Sequence, residues 1–195
     1  MDRITLKQEA KSTLASSNAH PYLTTLIYLL VVGILTGVSG KCDSLIISTI
    51  LSILTTVISF GYTWWGLSVA RQNGSVGEFA FAFSKIIPII ILSIVMAIVV
   101  CLGYVLLIVP GVMLSFGWSM ASYVLRDNIE SGLGALSESW RITKGHKMDL
   151  FVLGLSFIPW MLLGIITCGL AFIYVYPYMS VTYAKAYESL KANAQ

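Results

Sequence analysis

The sequence predicts an all-α, polytopic membrane bundle of six transmembrane helices, and three observations carry that prediction. Of 195 residues, 57% are hydrophobic and only 11% charged. A soluble domain carries about 25% charged residues, so this chain has too little polar surface to cover a core in water. Its apolar residues come in uninterrupted runs, several as long as the roughly 20 residues a helix needs to cross about 30 Å of hydrocarbon. Finally, eleven of the twelve Lys and Arg residues fall on one side of a six-span arrangement, the bias expected of cytoplasmic segments. Lipid demands that every backbone group be satisfied within its own structure. Alternating strand patterns are absent, so helices and not a barrel follow. A soluble enzyme, a nucleic-acid module and a disordered tail are excluded, and the net charge of +3 is too small to suggest a nucleic-acid partner.

The elements follow in order. The first twenty residues, to His20, are polar and mixed in charge, without the apolar run of a secretory leader, and are expected to stay on the protein. Spans are expected at about 22–38, 45–70, 86–104, 106–125, 148–168 and 169–187, forming a single integral membrane domain over 1–195. No charged loop separates the third span from the fourth. Their turn must lie between Gly103 and Gly111, either at Pro110-Gly111 or at Gly103, in which case Pro110 kinks the fourth helix. On one side lie Arg3, Lys7, Lys11, Arg71, Lys85, Arg126, Arg141, Lys144, Lys147, Lys185 and Lys191; on the other lies Lys41 alone. Both termini are therefore expected in the cytoplasm.

The connections on the basic side read as short amphipathic interfacial helices. Between the fourth and fifth spans, Ile129, Leu133, Leu136 and Trp140 recur at helical spacing, with Glu130, Ser137, Glu138, Arg141 and Lys144 on other faces. Asn128 or Ser131 suits its start and Gly145 its end. Val76, Phe79 and Phe83 repeat the pattern after the second span, and Leu6, Ala10 and Leu14 repeat it before the first. The second span also contains Ser59-Phe60-Gly61-Tyr62-Thr63 and runs to Arg71-Gln72-Asn73. The fourth contains Ser115-Phe116-Gly117-Trp118-Ser119 and runs to Arg126-Asp127-Asn128. Tyr178, Ser180, Thr182 and Lys185 of the sixth form a looser version, so three parallel hairpin repeats are expected. The competing reading is that such residues gather at any inner helix end.

Catalytic chemistry is not expected. An ionisable residue inside a span would be the first suspect, but no span interior carries a carboxylate or a His. The two histidines, His20 and His146, lack metalloprotease spacing. No glycine-rich phosphate loop precedes a lysine, so neither metal nor cofactor is implied. Two groups remain as candidate sites. Arg126, Arg141, Lys144, His146, Lys147 and Asp149 could bind an anionic phospholipid or a protein partner; equally, Asp149 and the lysines suit a helix start and a topogenic belt. Ser52, Thr55, Thr56, Ser59 and Thr63 place hydroxyls along one face of the second helix, either as a polar path for a small solute or as a helix-packing face. Cys42, Cys101 and Cys168 sit near the outer turns, an odd number without a Cys-x-x-Cys pair, and read either as a disulfide plus one thiol or as small apolar residues.

A family resemblance begins at Pro110-Gly111. It runs through Ser119-Met120, Tyr123, Asp127-Asn128, Ala135-Leu136, Ser139, Gly145-His146-Lys147 and Asp149-Leu150-Phe151. It continues through Leu155-Ser156-Phe157-Ile158, Trp160, Leu162-Leu163, Pro177-Tyr178, Thr182-Tyr183-Ala184 and Tyr187. This string resembles the domain-of-unknown-function family nine-seven-five, integral membrane proteins frequent in Gram-positive bacteria. The Pro-Gly turn with its following surface helix is loosely similar to the membrane domain attached to some glycerophosphodiester phosphodiesterases, a domain that does not supply the hydrolytic chemistry. The family resemblance implies a bacterial plasma membrane and no assigned activity. The expected function is that of a non-enzymatic accessory or interaction protein engaging the lipid bilayer or another membrane protein, in envelope stress or peptide-toxin defence. The alternative is a small-solute transporter or channel component.

Overall fold

The computed structural model describes residues 3–17, 20–41, 44–106, 114–127 and 132–193, and these form helices and turns with no strand among them. In order they are α1 (Arg3–Ser16), α2 (Pro21–Ser39), α3 (Leu45–Ala70), α4 (Gly77–Ser84), α5 (Ile86–Leu106), α6 (Ala121–Asp127), α7 (Gly132–Ile142), α8 (Lys147–Leu155), α9 (Ile158–Ile166) and α10 (Phe172–Asn193). Residues 114–117 add a helical turn before α6. Among the described residues, four stretches are long and apolar enough to cross a membrane: Pro21–Ser39, Leu45–Ala70, Ile86–Tyr104 and Lys147–Ile166. These make the chain a membrane protein. Lys185, Glu188 and Lys191 in its last turns make α10 more polar than those four.

Local chemistry explains the boundaries. Pro21 opens α2, where a missing N–H is harmless. α5 continues through Gly103 to Leu106, so the Gly103 turn is overturned: a lone glycine costs a helix only about 1 kcal/mol relative to alanine, too little to end a long apolar helix. The Pro110-Gly111 alternative lies outside the described residues. The described part of the fourth expected span is not one helix. It turns at 118–120 before α6 resumes, with i→i+3 bonds from Ser119 N to Phe116 O and Ala121 N to Trp118 O. The fifth span is likewise divided into α8 and α9. Phe157 N bonds back to Gly154 O, and Pro159, which has no N–H, sits in the first turn of α9. Cys168 and Gly169, at φ 50 and 95, turn the chain into α10.

Packing is concentrated at one end. α3 buries Val57, then Gly61, Tyr62 and every residue from Trp64 to Ala70, yet at its start Leu45, Ile46 and Ile50 are 82%, 72% and 59% exposed. α2 buries only Pro21 and Thr25, and α9 buries only Gly164. The buried body consists of Trp64, Trp65, Ile89, Leu92, Met120, Leu150, Leu153, Phe157 and Tyr187, with Leu6, Ala10 and Leu14 of α1 joining it. Two glycines permit the close crossings. Gly66 of α3 lies so near Ser180 of α10 that a Cβ would overlap the Ser180 hydroxyl, and at Gly132 a Cβ would stand 2.8 Å from Leu92 N and Pro88 O of α5. The splayed end exposes apolar side chains that lipid, unlike water, accepts without penalty.

The short helices do not all turn their apolar stripes the same way. That of α1 faces inward. On α7, Leu136 is buried with Gly132, Ala135, Ser139 and Ile142, while Leu133 and Trp140 face outward at 58% and 38% exposure. Ile129, Asn128, Glu130 and Ser131 lie outside the described residues. On α4, Glu78 and Ala82 are buried, whereas Val76 and Phe83 are exposed.

Candidate functional site

The densest polar cluster lies where α3, α6 and α10 end together. Arg71, the first residue past α3, donates from Nη1 and Nη2 to Oδ1 and Oδ2 of Asp127 at 2.8 and 2.7 Å, and from Nε to Glu188 Oε1 at 2.7 Å. Lys191 Nζ reaches Asp127 Oδ2 at 2.6 Å, and the Tyr187 hydroxyl donates to the same oxygen at 3.0 Å. Tyr187 is held in place by stacking on Tyr123 of α6, centroids 5.5 Å apart. The Asp127 side chain is only 6% exposed. Burial pushes its carboxyl up, but hydrogen bonds from Arg71 and Lys191 win and hold it at about 2. It is an ionised carboxylate shared by two cations and a phenol, and it ties three chain segments into one knot.

Arg126, one residue earlier, points elsewhere. Its Nε and Nη2 grip Glu78 of α4 at 2.5 and 2.8 Å, and its guanidinium lies 4.6 Å from the centre of the Phe81 ring. The hydrogen bonds to Glu78 raise its pKa. The two adjacent residues Arg126 and Asp127 thus join different neighbours, α4 on one side and α3 with α10 on the other.

The remaining basic candidates gather around the α7–α8 turn, which Gly145 makes possible at φ 85. α7 is docked by two hydroxyls, Ser139 Oγ and Thr143 Oγ1, which both donate to the Gly117 carbonyl at 2.9 Å. That carbonyl faces the break before α6 and would otherwise lack helical partners. Trp140 covers Gly117, where any Cβ would overlap its ring, and Lys147 Nζ stands 2.9 Å from the centre of the same ring. Arg141 pairs with Glu138 on the exposed face, with Nη2 2.6 Å from Oε1. His146 Nδ1 lies 2.9 Å from Asp149 Oδ2. Arg141, Lys144 and His146 line one cavity of about 260 Å³ together with Ile142, Leu190 and Asn193. Of these six candidates, the structure therefore brings three into one cavity, seats Lys147 on Trp140, pairs Asp149 with His146, and holds Arg126 apart on Glu78 of α4.

The hydroxyl stripe forms internal bonds. Ser52 donates to Thr49 O, Thr55 to Leu51 O, Thr56 to Ser52 O, Ser59 to Thr55 O and Thr63 to Ser59 O, all between 2.8 and 3.0 Å. Ser59 also meets the Tyr28 hydroxyl at 3.3 Å across α2 and α3. Among the described residues, no group of three or more His, Cys, Asp or Glu could hold a metal ion. Cys101 and Cys168 are exposed free thiols, and Cys42 lies outside the described residues.

The candidate list drawn from sequence omits Asp127, Glu188, Tyr187, Lys191, Arg71 and Glu78. The signal was present: Arg71 and Arg126-Asp127 mark equivalent ends of two similar segments, and Tyr187, Glu188 and Lys191 share one helical face at the end of a third.

No curated protein and no solved structure matches the chain. A family model described as "Protein of unknown function (DUF975)" matches residues 94–194, from the middle of α5 to the end of α10. That stretch contains Arg126, Asp127, the α7–α8 turn and the α10 face that closes the knot, and with it matched over half its length the chain belongs to the DUF975 family.

Proposed function

We propose that the chain is a six-span protein of the bacterial plasma membrane, with both termini in the cytoplasm. In this reading it works without catalysis, as an accessory or interaction protein that engages lipid or another membrane protein in envelope stress or peptide-toxin defence. The observation that carries the proposal is the asymmetry of packing. The bundle is sealed at the Asp127 end by charge pairs and aromatic rings, while the outer halves of α2, α3 and α9 offer apolar side chains to whatever surrounds them. Such a body presents apolar surfaces on which lipid or a partner could lie. The six spans draw support from direction: α3, α6 and α10 all end at Asp127, as three hairpins returning to one face would. Gly61 and Gly117 draw the repeats together, since each sits under an aromatic ring of the following surface helix, Phe79 and Trp140.

The alternative, transport along the hydroxyl stripe, rests on that stripe alone, and its hydroxyls are already bonded to their own helix. Two measurements test the proposal. In a chain with Cys42, Cys101 and Cys168 changed to Ser, a membrane-impermeant maleimide should label K41C in intact cells and K144C only after permeabilisation. Labelling of K144C in intact cells refutes the topology. Proteoliposomes should show no protein-dependent flux of small neutral solutes; flux abolished by T55V/T56V establishes the alternative.

A further inference from the structure

We infer that the cavity between the α7–α8 turn and the end of α10 is a binding site for the phosphate-bearing headgroup of an anionic phospholipid. Resting on the membrane reading above, the inference adds a ligand class and a place. At about 260 Å³ the cavity falls below the roughly 300–1,000 Å³ of sites that engulf a whole small molecule, so it admits a headgroup and leaves acyl chains outside. Its lining is matched to an anion. Arg141 and Lys144 are cationic, and the Asn193 amide and His146, whose Nδ1 is already taken by Asp149, add polar groups from two sides. Glu138 shares Arg141, which leaves Lys144 as the dominant charge.

The choice of lipid over a soluble anion comes from the surroundings. Trp140, beside Arg141 in the chain, is 38% exposed, Leu133 one helical face away is 58% exposed, and Met148 at the start of α8 is 70% exposed. Leu133 and Met148 thus leave apolar side chains bare on α7 and α8, the two helices around Arg141 and Lys144. Trp140, part-exposed while its ring covers Gly117 and carries Lys147, lies between them in the chain. Such a mixture of aromatic, apolar and basic groups suits a membrane interface. Ile142 and Leu190 in the wall suit the glycerol end of a headgroup better than free phosphate.

The protein in detergent, examined by native mass spectrometry, should retain phosphatidylglycerol about tenfold more tightly than phosphatidylcholine, the net of two basic side chains at an anionic headgroup with one of them shared by Glu138. R141Q/K144Q should remove that preference and leave phosphatidylcholine retention unchanged. Both side chains are exposed, so the fold should survive, and a helical circular dichroism spectrum equal to that of the parent checks this. K11Q, an exposed basic residue elsewhere, should change nothing. Equal loss in K11Q, or inorganic phosphate displacing phosphatidylglycerol at matched concentration, overturns the inference in favour of diffuse charge or a soluble anion. Recovery of the parent chain outside the membrane fraction would instead refute the membrane reading itself. No lipid preference in a correctly inserted protein refutes only the site.

Discussion

Replacing Asp127 with Asn keeps the shape of the side chain and removes its charge, and the structure indicates how much should be lost. The carboxylate accepts two bonds from Arg71, one from Lys191 and one from Tyr187. An Asn turns an N–H₂ group toward one of those donors. A carboxyl held at about 2 instead of its ordinary 3.8 corresponds to roughly 2–3 kcal/mol of stability. Arg71 and Lys191 keep 36% and 32% of their side-chain exposure, and solvent screening around them trims this to about 2 kcal/mol. For a chain of this size, about 2–4 °C per kcal/mol gives a fall in Tm of about 4–8 °C at pH 7, read from the fluorescence of buried Trp64 and Trp65 in detergent. The folded carboxyl is the more acidic one, so the unfolded state takes up protons first as pH falls. The advantage of the parent is therefore complete above about pH 4 and disappears as pH falls through about 2. R71Q should be partly non-additive with D127N, with a coupling of about 1–2 kcal/mol. A D127N Tm within 1 °C of the parent at pH 7, or strict additivity, would refute the knot as a stabilising element.

Three further outcomes are expected. G66V should destabilise the detergent-solubilised protein by about 1–3 kcal/mol, because its side chain overlaps Ser180 and forces α3 from α10; thermal unfolding measures it, and an unchanged Tm contradicts the crossing. S139A/T143V should lower stability by about 1–3 kcal/mol by stranding the Gly117 carbonyl, with each single change having less than half that effect because the other hydroxyl remains; additive halves would show that the two donors are not interchangeable. T55V/T56V should shift stability by less than about 0.5 kcal/mol, since these hydroxyls only return to their own helix; a larger loss would mean that they bond across an interface.

Particular residues show where sequence reading reached and where it stopped. The starts of α3 and α5 coincide with the expected second and third spans, because apolar runs and their charged borders are local. Leu6, Ala10 and Leu14 were legible as a stripe, and they are buried together. On α7 the stripe was legible but its facing was not. Gly132 and Ser139 were small enough to approach α5 and the Gly117 carbonyl, so Leu133 turned outward and Trp140, part-exposed, came to lie over Gly117. The candidate site was half legible: Arg141, Lys144 and His146 do share a cavity, whereas Arg126 is held by Glu78, 48 positions earlier. A residue's charge is readable from the chain, but its partner is not.

By itself the sequence determined that this is an all-α membrane protein with its charges gathered at helix ends, because the transfer of side chains to lipid is summed residue by residue along a run. Only the tertiary structure decided which end of the bundle is packed, and that Arg71 meets Asp127 and Glu188 from 56 and 117 positions away. It also decided that the fourth and fifth segments break at Gly117 and Ser156, with freed carbonyls taken up by Ser139, Thr143 and Lys7. Those outcomes depend on which surfaces can approach, through glycines at 66, 117 and 132, and steric fit between distant segments is not written in any local pattern.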